Sequence, residues 1–451
     1  MPRSFRPRWL PLPPPVASDS SVRLPCRCAK VRRPISGGSA VQLKQLLQRG
    51  IELQKAGRLE EAKAAYQRAR ALVPKSFDAT FLLGAVAHQQ GDIARAVDLL
   101  RKARALNPRA PACAARLGLA LIAAGRAEEA ECALRDAVGL KPDYAEAWNH
   151  LGYCLSVRDR LDEAVACYER ATQLDPHKAA FWHNQGLALS MSGRAFDALR
   201  CHERARQAEP SYAKAHFGRA QALQQLNEIE AAVAAYDEFL RLEPDHLDAR
   251  SYRLFALNNL PLFTRAELFA EHVEFGRRAG AARVRHFAGA PLPDRRLRVA
   301  LLSPDLREHS CSYFLEPLIR YLEPADFELF LYHDHFRTDA VSDRFKAMAS
   351  TWRNFVGQSA AQVEAAILDD KPDILIDLAG HTGISNRLGL FARRLAPVQI
   401  AYLGYPNTTG VAAMDFRFTD AIADPPGEAD SFATERLTRF STTAWAYQPP
   451  A

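Results

Sequence analysis

Three short polar stretches in the last third of the chain gather the side chains able to do chemistry. SPDLREHS carries Ser303, Asp305 and His309, DLAGHTG carries Asp377, His381 and Thr382, and GYPNTTG carries Gly404, Tyr405, Pro406, Asn407, Thr408, Thr409 and Gly410. A histidine, with a reference pKa of about 6.5, holds or exchanges a proton near neutrality where a hydroxyl attacks. Hydroxyls, carboxylates and bare glycine backbone suit a polar ligand. Any one such loop more often caps its helix, and Ser310 or Asp305 alone reads as an N-cap. Three of them on one edge read as a site.

Each stretch ends a short β-rich apolar run: RVALLS, PDILIDLAG and PVQIAYLG, with FELFLYH and DFRFTD as further runs. Between the runs lie helical patterns such as SYFLEPLIRYL and SAAQVEAAILDD. Alternating strand and helix predict a parallel α/β sheet with Rossmann-like connections, whose ligands bind at the carboxyl ends of the strands. No G-x-G-x-x-G follows the first strand, no glycine-rich run ends in Gly-Lys-Ser/Thr, and no G-x-S-x-G is present, so a dinucleotide fold, a P-loop and a hydrolase elbow are excluded. What remains is an α/β half-site of histidines and hydroxyls, suited to a ligand such as a nucleotide sugar.

Ahead of this region three ladders share one period. Gly50, Gly84, Gly118, Gly152 and Gly186 are 34 residues apart, as are Ala62, Ala96, Ala130, Ala164, Ala198 and Ala232, and Pro74, Pro108, Pro142, Pro176, Pro210 and Pro244. That period predicts a tetratricopeptide superhelix of paired antiparallel helices. Six units follow, about 43–76, 77–110, 111–144, 145–178, 179–212 and 213–246. The glycines mark the closest approach of the paired helices, with the ladder alanines expected to face them. Each proline stops a second helix, and Gly57, Gly91, Gly125, Asp159, Gly193 and Asn227 turn between helices. Trp148, Trp182 and Tyr168 read as interhelical core. Stacked units present a groove for extended polypeptide, or serve only to scaffold or dimerise. Residues 247–290 read as a helical cap and linker, with a domain boundary near 290 and the α/β lobe at 295–445.

At 451 residues two or three domains are expected, and 48% hydrophobic and 25% charged residues describe a soluble globular chain. No run approaches the roughly 18 apolar residues of a membrane span, and neither membrane nor nucleic acid is an expected partner. The net charge of +7 is concentrated at the start, where residues 1–40 carry eight Lys/Arg against Asp19 and read as a disordered basic tail. Of eight cysteines, Cys26 and Cys28 form the one close pair, without a second pair at zinc spacing, so no metal site and a cytoplasmic location are expected.

The blocks SPDLREHS, DILIDLAGHTG, RRLAPVQIAYLGYPNTTG and MDFRFTDAIADPP, behind six repeats and a helical connector, resemble the protein O-GlcNAc transferase family in its bacterial and SPINDLY-like branch, over about residues 43–445. The resemblance implies the amino-terminal Rossmann-like lobe of a glycosyltransferase B fold. It also implies inverting transfer of GlcNAc from UDP-GlcNAc to Ser/Thr of proteins, without a metal or other cofactor. His309 matches the family's histidine near the donor phosphate and the attacking hydroxyl, as base or as positioning group. Gly404 and Pro406 match the loop lining the sugar, and His381 and Thr382 match the bacterial and plant form of theirs. Asp305, Tyr405, Thr408 and Thr409, on the same loops, are taken as donor-binding.

Implied partners are protein or peptide acceptors in the repeat groove and the nucleotide sugar, and the repeats also suit a homo-oligomer. GDP-fucose is the alternative donor, and a non-catalytic tetratricopeptide interaction module is the alternative function. Two departures stand out. Leu82, Arg116, His150 and Asn184 occupy the positions where animal members line the groove with asparagines, and the chain, running to AWAYQPPA, is expected to lack the second lobe.

Overall fold

The computed structural model describes residues 37–280, 285–287, 294–382, 387–445 and 447. Residues 1–36 of the expected basic tail, with Cys26 and Cys28, and most of the linker after Gly280 lie outside them. Two compact units emerge, one up to Ala222 and one from Leu223 onward.

Twelve helices follow in the order the six repeats require: α1 (Gly37–Lys55) with α2 (Leu59–Leu72), α3 (Phe77–Gln89) with α4 (Ile93–Leu106), α5 (Pro111–Ala123) with α6 (Ala127–Leu140), α7 (Ala145–Val157) with α8 (Leu161–Leu174) and α9 (Ala179–Met191) with α10 (Ala195–Ala208) as packed pairs, then α11 (Ala213–Gln225) and α12 (Ile229–Leu242) in sequence. The first helix begins at Gly37, inside the stretch read as tail. All six turn residues have left-handed backbone, with φ between 61° and 79°, Asp159 and Asn227 included. This is the conformation in which glycine, asparagine and aspartate end helices.

The glycine ladder works as expected, but its facing residues differ. A Cβ on Gly50 would lie 2.2 Å from Tyr66, one on Gly84 2.8 Å from Leu100, and one on Gly186 2.7 Å from His202. The glycines therefore receive the bulky residue four positions beyond each ladder alanine, and the alanines are simply buried. Tyr168 is fully buried at the same rung. Trp148 and Trp182 pack half-buried against the core, and their indole N–H groups donate to the Pro142 and Pro176 carbonyls at 3.0 and 2.8 Å. His216 repeats the bond to Pro210 at 2.9 Å. At three of the six ladder prolines a ring from the following helix thus binds the proline carbonyl just past the end of the preceding one.

In the second unit α13 (Leu247–Leu257) and α14 (Arg265–Ala279) precede a parallel sheet. Its elements are β1 (Leu297–Ser303), α15 (Ser312–Arg320), β2 (Phe327–His333), α16 (Ala340–Met348), β3 (Thr351–Asn354), α17 (Ala360–Asp370), β4 (Ile374–Asp377), α18 (Leu388–Phe391), β5 (Val398–Ala401), β6 (Phe416–Asp420) and β7 (Arg436–Phe440). The strand order is β3-β2-β1-β4-β5-β6-β7. Successive side chains of a strand point to opposite faces. Ala300 and Leu302 accordingly join a core with Leu254, Leu257 and Phe275 of α13 and α14, while Val299 and Leu301 meet Leu315 and Ile319 of α15. Burial on both faces explains why RVALLS reads as unbroken apolar sequence.

Candidate functional site

From β1 the chain winds outward through β2 to β3, then returns to place β4 on the other side of β1. Strand order thus reverses between β1 and β4, and at such a point the loops leaving the two carboxyl ends diverge and open a crevice. The loops after β1, β4 and β5 are the three stretches singled out by chemistry, on three adjacent strands.

After β1, the Ser303 hydroxyl accepts the Asp305 N–H at 2.9 Å and fixes the turn. His309 sits half-buried before α15, its Nδ1 accepting the Cys311 N–H at 3.2 Å. In the neutral imidazole the proton then resides on Nε2. Nε2 lies 3.7 Å from Asp305 Oδ1, and Arg307 donates to the same oxygen at 3.3 Å. Burial lowers the His309 pKa, partly offset by Asp305, so the ring is neutral near pH 7. Neither Asp305 nor Ser310 caps α15, whose N-cap position is Cys311 without a side-chain bond. Asp305, His309 and Cys311 hold ligand-type atoms within 4.8 Å of one another, the one such grouping among the described residues. Arg307 beside Asp305 and the amide on Nδ1 both oppose a cation there.

After β4, Asp377 is buried and accepts the N–H groups of Ala379 and Gly380 at 3.3 and 2.7 Å. Burial pushes its pKa up to about 6 against the pull of those bonds. His381 is 1% exposed, Ser251 Oγ donates to its Nδ1 at 2.7 Å, and its Nε2–H donates to the Thr409 carbonyl at 2.9 Å. With both nitrogens engaged and burial holding its pKa well below 6.5, it joins α13 to the next loop as a neutral ring. Thr382 is half-buried and donates to the Ala379 carbonyl at 2.6 Å.

After β5 the backbone is strained at Leu403, φ 71°, in a region β-carbon sterics disfavour. Gly404 follows, where a Cβ would sit 2.0 Å from the Leu378 carbonyl oxygen, so only glycine lets the loops of β4 and β5 touch. Pro406 is exposed beside half-buried Gly404. Tyr405 is buried, its hydroxyl donating to His272 Nε2 at 2.6 Å and accepting from Asn258. His272 in turn donates from Nδ1 to the Leu268 carbonyl at 2.6 Å, and burial takes its pKa down to about 4. Thr408 and Thr409 are buried, both hydroxyls bound to Glu435.

The residues chosen from sequence therefore sort into two layers. Asp305, His309, Thr382, Gly404 and Pro406 line the open edge, while His381, Tyr405, Thr408 and Thr409 lie beneath it and hold its loops. Ser251, Asn258, His272 and Glu435 complete the lower layer and were not singled out from sequence. They lie on helices or before an edge strand with no motif around them.

The fold is a helical repeat array followed by a parallel α/β lobe, with the three polar loops on adjacent strands beside the strand-order reversal. Residues 266–446 match the profile of glycosyl transferase family 41, and tetratricopeptide repeat profiles match 47–111, 87–136, 145–178 and 183–246. Residues 266–446 thus carry a glycosyl transferase family 41 segment behind tetratricopeptide repeats. It is 35% identical over 203 residues, 44% of its length, to a protein of Solanum lycopersicum named probable UDP-N-acetylglucosamine–peptide N-acetylglucosaminyltransferase SPINDLY, covering 22% of that protein. Similarity to the Caenorhabditis elegans UDP-N-acetylglucosamine–peptide N-acetylglucosaminyltransferase is 33% over 153 residues, 33% of this chain and 13% of the relative. Among solved structures, a variant of the Thermobaculum terrenum O-GlcNAc transferase aligns with 29% identity and a TM-score of 0.49, covering 75% of this chain and 59% of that one. The chain thus matches only about a fifth of the length of its plant relatives. Among the described residues no helix is long and apolar enough to cross a membrane.

Proposed function

We propose that this chain forms the acceptor-binding repeats (43–246), helical connector (247–290) and amino-terminal catalytic lobe (295–445) of a protein O-linked sugar transferase acting on Ser/Thr hydroxyls in the cytoplasm. UDP-GlcNAc is the donor, protein or peptide acceptors occupy the repeat groove, and no metal is invoked. The observation that carries the reading is that the three polar loops leave the carboxyl ends of the adjacent parallel strands β1, β4 and β5, beside the reversal of strand order and within the segment matched by family 41.

On this reading the neutral His309 ring offers its Nε2–H to a ligand oxygen, as positioning group rather than base. Asp305, held by the Ser303 turn, is the carboxylate at the edge able to accept the hydroxyl proton. Gly404 and Pro406 present backbone to the sugar, Thr382 lies beside them, and His381, Tyr405, Thr408 and Thr409 act by shaping the loops.

The test measures sugar transfer from UDP-GlcNAc and from GDP-fucose to a Ser/Thr peptide by the full-length protein and its His309→Ala and His309→Asn variants. Asparagine keeps an acceptor for the Cys311 N–H but lacks Nε2. Both variants should lose about 10²–10⁴-fold in turnover, the range for a positioned proton-transferring or hydrogen-bonding group. Near wild-type turnover of His309→Asn would reduce the histidine to a turn former, and absence of transfer from either donor would sink the transferase reading.

A further inference from the structure

Glu435 stands just before β7, at the far edge of the sheet, and is 4% exposed. A buried carboxylate is costly unless its lone pairs are filled. Here Thr408 Oγ donates to Oε2 at 2.6 Å, while the Thr409 N–H at 2.7 Å and the Thr409 hydroxyl donate to Oε1. Each hydroxyl, oriented by the carboxylate, turns its own lone pairs to the backbone. Thr408 Oγ accepts the Gly410 N–H at 3.2 Å and the Thr434 N–H at 3.1 Å, and Thr409 Oγ accepts the Val411 N–H at 3.2 Å. The Thr408 N–H goes to Asn407 Oδ1 at 2.8 Å.

Four successive N–H groups, residues 408–411, thus end on side-chain oxygens, whereas a strand or helix would supply carbonyls. The β5–β6 connection has no ladder of its own, so its shape depends on this set of side chains, and three of the bonds converge on one carboxylate. Replacing that carboxylate releases both threonine hydroxyls, and with them the acceptors of the Gly410 and Val411 amides. Gly404 and Pro406, at the open edge, are tied to the same short stretch of chain.

We propose that Glu435 is a positioning residue for the donor-facing loop: acting through Thr408 and Thr409, it fixes the backbone of residues 404–411 in the shape that receives the sugar nucleotide. The assignment rests on the donor reading given above. It makes the two threonines internal fasteners of the loop, with their hydroxyls committed to Glu435 instead of to ligand.

The test uses the full-length protein, as wild type, Glu435→Gln, Glu435→Asp and the exposed control Glu428→Gln. Two readouts are taken: amide hydrogen exchange over 404–411, and the Kd for UDP-GlcNAc. Glutamine keeps the shape but replaces an acceptor with a donor facing Thr408, so exchange over 404–411 should rise at least tenfold while residues 297–303 and 327–333 keep wild-type protection. UDP-GlcNAc binding should weaken about tenfold or more, and Glu428→Gln should change neither. Aspartate, charged but one methylene short, should fall between, and it carries the test if the glutamine variant loses protection throughout the sheet. Faster exchange with donor affinity within twofold of wild type would overturn the positioning role and leave a purely structural one. Unchanged exchange would overturn the clamp itself. Should wild type bind no UDP-GlcNAc, the donor reading falls, and with it the proposed role, while the exchange data still show whether Glu435 holds the loop.

Discussion

His202 occupies a rung that elsewhere holds Tyr66, Leu100, Leu134, Tyr168 and Tyr236. It is 0% exposed, wedged against Gly186 and Gly218, and neither ring nitrogen has a hydrogen-bond partner. His183 lies 5.3 Å away ring to ring, Glu203 is the nearby acid, and Lys214 bears on His183. Burial depresses the His202 pKa from 6.5 to about 4, so the folded ring is neutral. Once α10 opens, the ring regains its ordinary pKa and binds a proton more readily than in the fold. Stability from this group is therefore complete above about pH 6.5 and is lost as pH falls toward 4, by up to about 3 kcal/mol. At pH 5 the loss relative to pH 7 is about 2 kcal/mol, or roughly twentyfold in local opening.

His202→Leu places on this rung the residue found in two other repeats and removes both orphan nitrogens. Amide exchange in the full chain, corrected for intrinsic rates, should show wild-type α9 and α10 losing roughly twentyfold more protection between pH 7 and pH 5 than the variant. The α5–α6 pair, which contains no histidine, serves as internal reference. The variant should also be better protected at pH 7, by about 1 kcal/mol or more, because two unsatisfied buried groups are gone. Equal pH dependence in wild type and variant would refute the reasoning. A residual acid response in the variant belongs to His183, whose pKa is also depressed by burial.

Two further outcomes follow from packing. Gly404→Ala drives a Cβ into the Leu378 carbonyl and should cost the lobe about 3 kcal/mol in denaturant unfolding, so wild-type stability would refute the close approach. Trp182→Phe keeps most of the ring but gives up its bond to the exposed Pro176 carbonyl, and faster exchange in α9 equivalent to about 0.5–1 kcal/mol is expected, with no change showing that bond to be idle.

The repeat region was open to reading from sequence because its determinants recur at one spacing. Proline, turn glycine and packing glycine each act within a single helix pair, and even Asp159 and Asn227 declared themselves by standing where other repeats place glycine. The same comparison of rungs would have exposed His202. In the lobe, the five strands inside the sheet are apolar runs, and all five were legible. The two edge strands, TWRN and RLTRF, are short, polar and only partly buried, so they resemble loop sequence. At the site, the loops could be read from composition, but their division into an open layer and a buried one could not. That division is decided by Ser251, Asn258, His272 and Glu435, whose partners lie far away in sequence.

The central position of β1 also governs the order of assembly. Every helix pair of the repeats closes over neighbouring sequence, with little loop entropy to overcome, and is stabilised as adjacent repeats stack on it. β1 can align with β2 early, yet its other flank stays open until Ile374–Asp377 has been made, since Val299 pairs with Ile374. Throughout that interval a nascent chain displays VALLS, an apolar strand with one row of backbone groups unpaired, the kind of edge that recruits other strands. The slow and aggregation-exposed phase of folding accordingly falls in the α/β lobe, and it ends when β4 docks beside β1, the same event that creates the crevice.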